Sequence, residues 1–238
     1  METSTLYKIK KRAGELLESR LLQTGKVLEV RVWEPSTLME IDLHLPLTDM
    51  ADWRQVPYIK FRVDNLTFRD YTPSGWDAET RTCTIYVDAI HNGPGANWAR
   101  ALTAGDTISY VKKTGFTHHA PAQTAEIIAL GDESSLGHIL ALQKMVLPGT
   151  RFSGGIVMGN DHHRDLFNEY FWSPIEPVAR RDVYGHNSLM EWVLQQGYSL
   201  KDSVFYLVGN NTMVSQLRKL LKQQGYPSGQ IKVQGFWG

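Results

Sequence analysis

The sequence predicts a two-domain protein of β plus α/β class, an antiparallel Greek-key β-barrel followed by a parallel sheet with helices packed outside it. Three observations carry this. Residues 26–119 read as short strands separated by turn signals, with little helix among them. Beyond residue 121 the apolar period changes and strands alternate with helices. The chain has 238 residues, 42% hydrophobic and 21% charged, enough for two modest cores of ordinary globular composition. The expected division is an N-terminal amphipathic helix over 1–25, the barrel over 26–120 and the α/β domain over 121–238.

At the start, Leu6, Ile9, Ala13, Leu16, Leu17 and Leu21 fall at helical spacing with charges between them, and Gly25 is the expected stop. Such a stripe packs on its own domain or on a sister subunit of a homo-oligomer. Val27, Leu28, Val30, Val32 and Trp33 form a strand ended by Pro35. Tyr58 to Phe68 reads as two strands broken near Asp64-Asn65. From Thr82 to Ile90 the pattern alternates, with Cys83, Ile85, Val87 and Ala89 on one face. Thr107 to Val111 is a further strand after a Gly105-Asp106 turn.

The second half starts with a strand at Ala125–Leu130 and a helix near Ser134–Val146. A strand at Gly155–Met158 and a helix at Asp161–Phe171 follow. Asn187-Ser188 is the expected cap of a helix carrying Leu189, Trp192 and Val193 and stopping at Gly197. Val204–Val208 is a buried-type strand, Gly209-Asn210-Asn211 a tight turn, and Val214, Leu217, Leu220 and Leu221 a helix ending at Gly225. Ile231–Val233 returns as a strand.

Composition removes several function classes. Lys plus Arg and Asp plus Glu both total 25, so no global charge draws the chain to nucleic acid or an anionic membrane. Cys83 is the single cysteine, which excludes an intramolecular disulfide and a multi-cysteine metal site. No signal-peptide core follows the basic start, and no uncharged stretch approaches the roughly 20 residues that span a bilayer. A cytoplasmic protein without membrane insertion is the expectation. His118-His119 and His162-His163 are neighbours in sequence, so their rings point in different directions and no protein metal site is expected.

Two segments carry chemistry. Arg69-Asp70-Tyr71-Thr72-Pro73 ends a strand, with Arg69 and Tyr71 on one face and Pro73 biasing Thr72 toward extended backbone. A guanidinium clamps phosphate, a phenol ring offers a flat face, and a threonine hydroxyl both donates and accepts, which suits flavin N5. About twenty residues on, His91-Asn92-Gly93-Pro94-Gly95-Ala96-Asn97 is a glycine-rich turn opening a helix, with Pro94 at its first position. Free N–H groups at such a start receive a pyrophosphate.

These motifs resemble those of the siderophore-interacting proteins, FAD-dependent ferric-siderophore reductases of the ferredoxin-reductase-like superfamily. The resemblance covers roughly residues 60–238. Arg69-Asp70-Tyr71-Thr72 is similar to the family's Arg-x-Tyr-Thr, and His91 with Gly93 to Ala99 to its His-Gly loop and following helix. Gly131-Asp132-Glu133-Ser134-Ser135-Leu136 resembles Gly-Asp-Glu-Thr-Ala-Leu, and Gly235-Phe236-Trp237 a closing Gly-Tyr-Trp. Ser74 stands where the family has a second arginine, Ala96 where it opens the helix with a hydroxyl, and Gly209-Asn210 where it has glycine-glutamate.

The resemblance implies FAD between the domains, with Tyr71 and Thr72 at the reacting ring and Arg69, His91, Gly93, Gly95, Ala96 and Asn97 holding the rest. It implies NAD(P)H, or ferredoxin, as donor, the nicotinamide approaching Gly131, Asp132, Glu133 and Ser134 together with Gly209 and Asn210, and Trp237 near the flavin. Electrons would pass to a ferric siderophore or another ferric chelate, with iron staying in its chelator. Lys112 and Lys113, with Arg218, Lys219 and Lys222, are candidates for a basic rim that attracts the anionic substrate. A flavin reductase with a different acceptor and a non-catalytic binding module on the same fold stay open beside this.

Overall fold

Residues 21–171 and 173–237 are described by the structure, a computed structural model. Most of the helix expected over residues 1–25 lies outside them. Its end does not: β1 runs Leu22–Trp33, so Gly25 lies inside a strand and not at a helix stop. The site is tight, with the His44 carbonyl and the Leu45 side chain each 2.8 Å from where a Cβ would sit.

Seven further strands complete an antiparallel sheet: β2 (Leu38–His44), β3 (Pro57–Asp64), β4 (Thr67–Tyr71), β5 (Ser74–Asp77), β6 (Thr82–Asp88), β7 (Thr107–Val111) and the short β8 (Gly115–Phe116). They pair in the order β4-β3-β7-β1-β2-β6-β5, with β8 on β3, a non-consecutive order of Greek-key type. The predicted alternation in β6 holds, since Cys83, Ile85 and Val87 are buried and join Val27, Ile41, Phe61 and Tyr110 in one core. β2 escaped the sequence pattern because two carboxylates interrupt it. Glu40 is nevertheless buried, accepting from Arg31 Nη2 at 2.7 Å and Trp33 Nε1 at 3.1 Å, and Asp42 accepts from Arg31 at 2.8 Å. One helix, α1 (Pro94–Ala101), leads from β6 toward β7, with Pro94 in its first turn as expected.

The second sheet is wholly parallel: β9 (Glu126–Asp132), β10 (Arg151–Met158), β11 (Ile175–Ala179), β12 (Ser203–Asn210) and β13 (Ile231–Trp237), in the order β11-β10-β9-β12-β13. The crossovers carry α2 (Leu136–Met145), α3 (Asp161–Tyr170), α4 (His186–Gln196) and α5 (Asn211–Gln223). The order in which strands are added reverses between the parallel neighbours β9 and β12, with β10 and β11 on one side and β13 on the other. Ligands of such sheets bind beyond the carboxyl ends of the strands at that point. Two local expectations are corrected. Gly185, not Asn187 or Ser188, precedes α4, because the Ser188 hydroxyl is engaged with the Arg181 N–H at 3.0 Å and Asp182 Oδ1 at 3.1 Å. Gly209 and Asn210 continue β12 and are not a separate turn; Asn210 caps α5 by accepting from the Thr212 and Met213 N–H groups.

The two sheets share packing. Ile127, Ala141, Leu142 and Tyr206 enter the same core as the barrel strands. A Cβ at Gly137 on α2 would meet the Thr72 carbonyl at 2.9 Å, so this glycine lets the helix rest directly on the β4–β5 connection. Among the described residues no helix is long and apolar enough to cross a membrane.

Candidate functional site

Where the two sheets meet lies a cleft of about 990 Å³, lined by β4, the end of β6, the start of α1 and residues 116–118 on one wall, and by Ser134, Gly137, His138 and β13 on the other. This is at the upper end of the roughly 300–1,000 Å³ of ligand pockets, enough for a cofactor with several parts.

β4 delivers Arg69 and Tyr71 to one wall, and Thr72 follows them out of the strand. The Tyr71 ring stacks on Trp98 at 5.8 Å and 14°, and packs against Phe61 at 6.1 Å, so it is held as a fixed plate. Burial pushes its phenol up to about 12, with Arg69 opposing, so the hydroxyl keeps its proton. Gly95 is the reason the plate fits. A Cβ there would collide with the Tyr71 hydroxyl, and the bare backbone of α1 therefore lies against the ring. Arg69 is exposed; its guanidinium donates to the Phe68 carbonyl at 2.8 Å and makes no ion pair among the described residues. The start of α1 has Gly93 before it and no side-chain cap, which leaves the N–H groups of Gly95 and Ala96, residues of the cleft lining, without a side-chain acceptor. Arg100 braces this loop by binding the Ala89 carbonyl, Asn92 Oδ1 at 3.1 Å and Asn97 Oδ1 at 2.7 Å.

The structure thus brings Arg69, Tyr71, Thr72, His91, Gly93, Gly95, Ala96, Ser134 and Trp237 to one cavity. Trp237 spans its top, donating from Nε1 to Ser134 Oγ at 3.1 Å and meeting His91 edge to face at 5.1 Å.

The other expected residues do not line it. Asn97 is turned onto Arg100. Asp132 is buried, accepting from the Ser134 N–H at 3.1 Å, the Ser134 hydroxyl at 2.5 Å and the Asn210 N–H at 2.9 Å. Burial raises its pKa, with the Ser134 hydroxyl and the Asn210 N–H opposing. Glu133 is buried between His163 Nδ1 at 2.9 Å and Arg180 Nη2 at 3.2 Å. Gly131 is enclosed by the Ser135 side chain and the Val208 carbonyl, and Gly209 lies beside the Asp132 carboxylate, while Asn210 caps α5. Lys112 and Lys113 are exposed beyond β7, outside the cleft lining.

Among the lining residues that sequence reasoning did not assign to the site are Tyr58, Tyr86, Asp88, Phe116 and His138. Tyr86 and Asp88 were legible in principle, because they share the polar face of the β6 alternation with nothing assigned to it. Asp88 is pushed up to about 6, mainly by burial, with the charges of Glu133 and Asp132 adding to it and the Ile90 N–H opposing. The histidine pairs divide as adjacent residues should: His118 lines the cleft while His119 is buried, and His162 is exposed while His163 is buried.

No protein-family sequence model matches the chain, and no curated protein matches it in sequence. Solved structures do match in fold. A siderophore utilization protein from T. fusca superposes with a TM-score of 0.72 at 17% identity, covering 91% of this chain and 92% of its own. The siderophore interacting protein from Acinetobacter baumannii gives 0.73 at 13% identity, with 91% and 90% covered. A ferredoxin NADP+ reductase from Neisseria gonorrhoeae, solved with FAD and NADP bound, gives 0.69 at 16% identity, with 90% and 98% covered. The chain therefore shares the fold of these proteins, an antiparallel sheet followed by a parallel sheet with helices, which is the fold class expected from the sequence.

Proposed function

We propose that this chain is a flavin-dependent oxidoreductase that seats FAD in the cleft, draws electrons from NAD(P)H or a ferredoxin, and passes them to ferric iron held in a siderophore. On this reading residues 26–120 are the flavin-binding domain and 121–238 an NAD(P)H-binding-like domain. The observation that carries it is the convergence of an Arg69 without an ion pair among the described residues, a clamped Tyr71 ring and an uncapped helix start on one cavity.

The residues fit the cofactor. Gly95 lets the Tyr71 ring seat against the start of α1, where a Cβ would meet the Tyr71 hydroxyl. Arg69 would hold a phosphate by paired hydrogen bonds, and the N–H groups at the start of α1 a second one. Tyr71 would back the ring, the Thr72 hydroxyl would face its polar edge, and Trp237 would shut out water from above. A bound flavin supplies the conversion between a two-electron nicotinamide donor and a one-electron iron acceptor. Iron is substrate here and needs no protein ligand. The fold neighbours support the reading, two by their siderophore names and one by its bound FAD and NADP.

The test is the absorption spectrum of the purified protein, with the cofactor identified after release, followed by anaerobic addition of NADH or NADPH. A flavin spectrum that bleaches, and ferric-siderophore turnover above the free-flavin background, are the expected results. A colourless protein that ignores added FAD removes the enzyme reading. Flavin without siderophore turnover by any donor assigns the electrons to another acceptor.

A further inference from the structure

The cleft wraps around an edge strand, and one of the two sides it reaches is left unused by the flavin reading. β4 ends the strand order of the antiparallel sheet. Strand alternation sends Arg69 and Tyr71 to one side of it and Phe68 and Asp70 to the other, and all four line the cleft. The register agrees. Arg69 and Tyr71 lie opposite the buried Phe61 and Ile59 of β3, whereas Asp70 lies opposite Lys60 and pairs with it at 2.7 Å. Tyr58, two residues before Lys60, shares that second side and also lines the cleft.

Tyr58 and the neighbouring Phe116 are held differently from Tyr71. Tyr58 lies opposite Gly115 in the β3–β8 pairing, and a Cβ there would collide with its ring, so the ring rests on bare backbone. Phe116 follows directly, lines the cleft and is 44% exposed. Tyr71 is stacked on Trp98, but among the described residues neither Tyr58 nor Phe116 packs against another ring. Open aromatic faces in a concave site mark a place for a ligand. The charge beside them is positive. Lys112 and Lys113 are exposed just ahead of Gly115, without an ion pair among the described residues, and His118 is exposed in the cleft lining beyond Phe116. The carboxylate on this side, Asp70, already has Lys60. The groups suited to a cofactor's phosphates, Arg69 and the start of α1, lie together on the Tyr71 side, since a Cβ on Gly95 would come within 3.3 Å of the Arg69 side chain. The second side is thus free for a separate ligand that is flat and anionic.

We infer that the Tyr58–Phe116 side of the cleft is the acceptor subsite, and that it selects ferric chelates whose iron is held by aryl oxygens, catecholates above all, over hydroxamate chelates. The inference rests on the proposed function and narrows its substrate. A catecholate ring stacks on the open faces of Tyr58 and Phe116, and its negative charge is drawn to Lys112 and Lys113. A hydroxamate chelate of aliphatic build offers neither the ring nor the charge.

The test is calorimetric titration of the FAD-loaded protein with ferric tris(2,3-dihydroxybenzoate) and, separately, with the ferric complex of a linear aliphatic trihydroxamate. The catecholate is expected to bind about 10-fold more tightly or better. Phe116→Ala and Tyr58→Leu should each lower its affinity about 3- to 10-fold, the worth of one aromatic contact, with hydroxamate affinity and FAD retention unchanged. Tyr58→Phe, which keeps the ring, should retain the affinity. Lys112→Gln combined with Lys113→Gln should flatten the fall of catecholate affinity with added salt. Equal affinity for the two chelates, or variants that bind catecholate as the parent does, overturns this inference while the flavin reading stands. A Phe116→Ala variant that loses affinity for FAD but not for FMN assigns the aromatic side to the cofactor's adenine and also overturns it. A parent protein that takes up no flavin overturns it together with the proposed function.

Discussion

The two walls of the cleft treat their polar groups in opposite ways. On the barrel wall they are left open: among the described residues the Arg69 guanidinium binds the carbonyl of its neighbour Phe68 and no carboxylate, and α1 starts without a side-chain cap. On the α/β wall they are closed upon one another. Asp132 collects Ser134 and Asn210, Trp237 donates to Ser134, and Glu133 is locked between His163 and Arg180. Both walls carry motifs at strand ends, yet one leaves its polar groups open among the described residues and the other engages them within the fold. The difference lies in whether the charges already have partners, which residue types alone do not reveal.

Glu133→Ala is the strongest way to break this comparison. It leaves His163, 1% exposed, and Arg180 without their shared carboxylate, and His163 also ties the site to the Trp33 carbonyl at 3.3 Å. A loss of about 3–5 kcal/mol in urea unfolding is expected, with FAD affinity of the folded protein little changed. A loss below about 1 kcal/mol would show that this wall is not locked. Arg69→Ala is the mirror experiment. FAD affinity should fall about 10- to 100-fold by fluorescence titration, the worth of a charge-assisted hydrogen bond. Stability should stay within about 0.5 kcal/mol, as for surface positions with few contacts. Equal retention of flavin would remove Arg69 from the site.

The same contrast marks what the sequence made legible. Periodicity identified β6, β7 and α5 within a residue or two, because their apolar faces are uninterrupted. It missed β2, whose Glu40 and Asp42 are neutralised by Arg31 on the adjacent strand, a pairing invisible along the chain. It missed β11 because Pro177 sits within a five-residue edge strand. The barrel wall of the site was readable because its residues are contiguous and act through local geometry. His138 was not, since its partner His119 lies 19 residues away. The β6 alternation marks Asp88 as a polar-face residue, but its raised pKa comes from burial and from Glu133 and Asp132, which the pattern does not show.

Asp88 gives the smallest and most discriminating test, because it stands at the end of β6 yet is affected by the carboxylates of the opposite wall. Its carboxyl is raised from 3.8 to about 6, first by burial and then by Glu133 and Asp132. The sign follows from linkage. Below 3.8 the group is protonated in folded and unfolded chains alike, so folding carries no penalty from it. Between 3.8 and about 6 the unfolded chain releases the proton that the folded chain keeps, and stability falls as pH rises. Above that window the loss is complete, at most about 3 kcal/mol. Asp88→Asn should therefore raise stability at pH 7.5 by about 1–2 kcal/mol, allowing for relaxation around the charge. The gain should shrink toward nothing near pH 4, a trend read by urea titration at three pH values. In a Glu133→Gln background the gain at pH 7.5 should be smaller, because one of the charges opposing Asp88 is gone. A gain independent of pH would mean that Asp88 acts through packing, and that the charges of the α/β wall stop at their own edge.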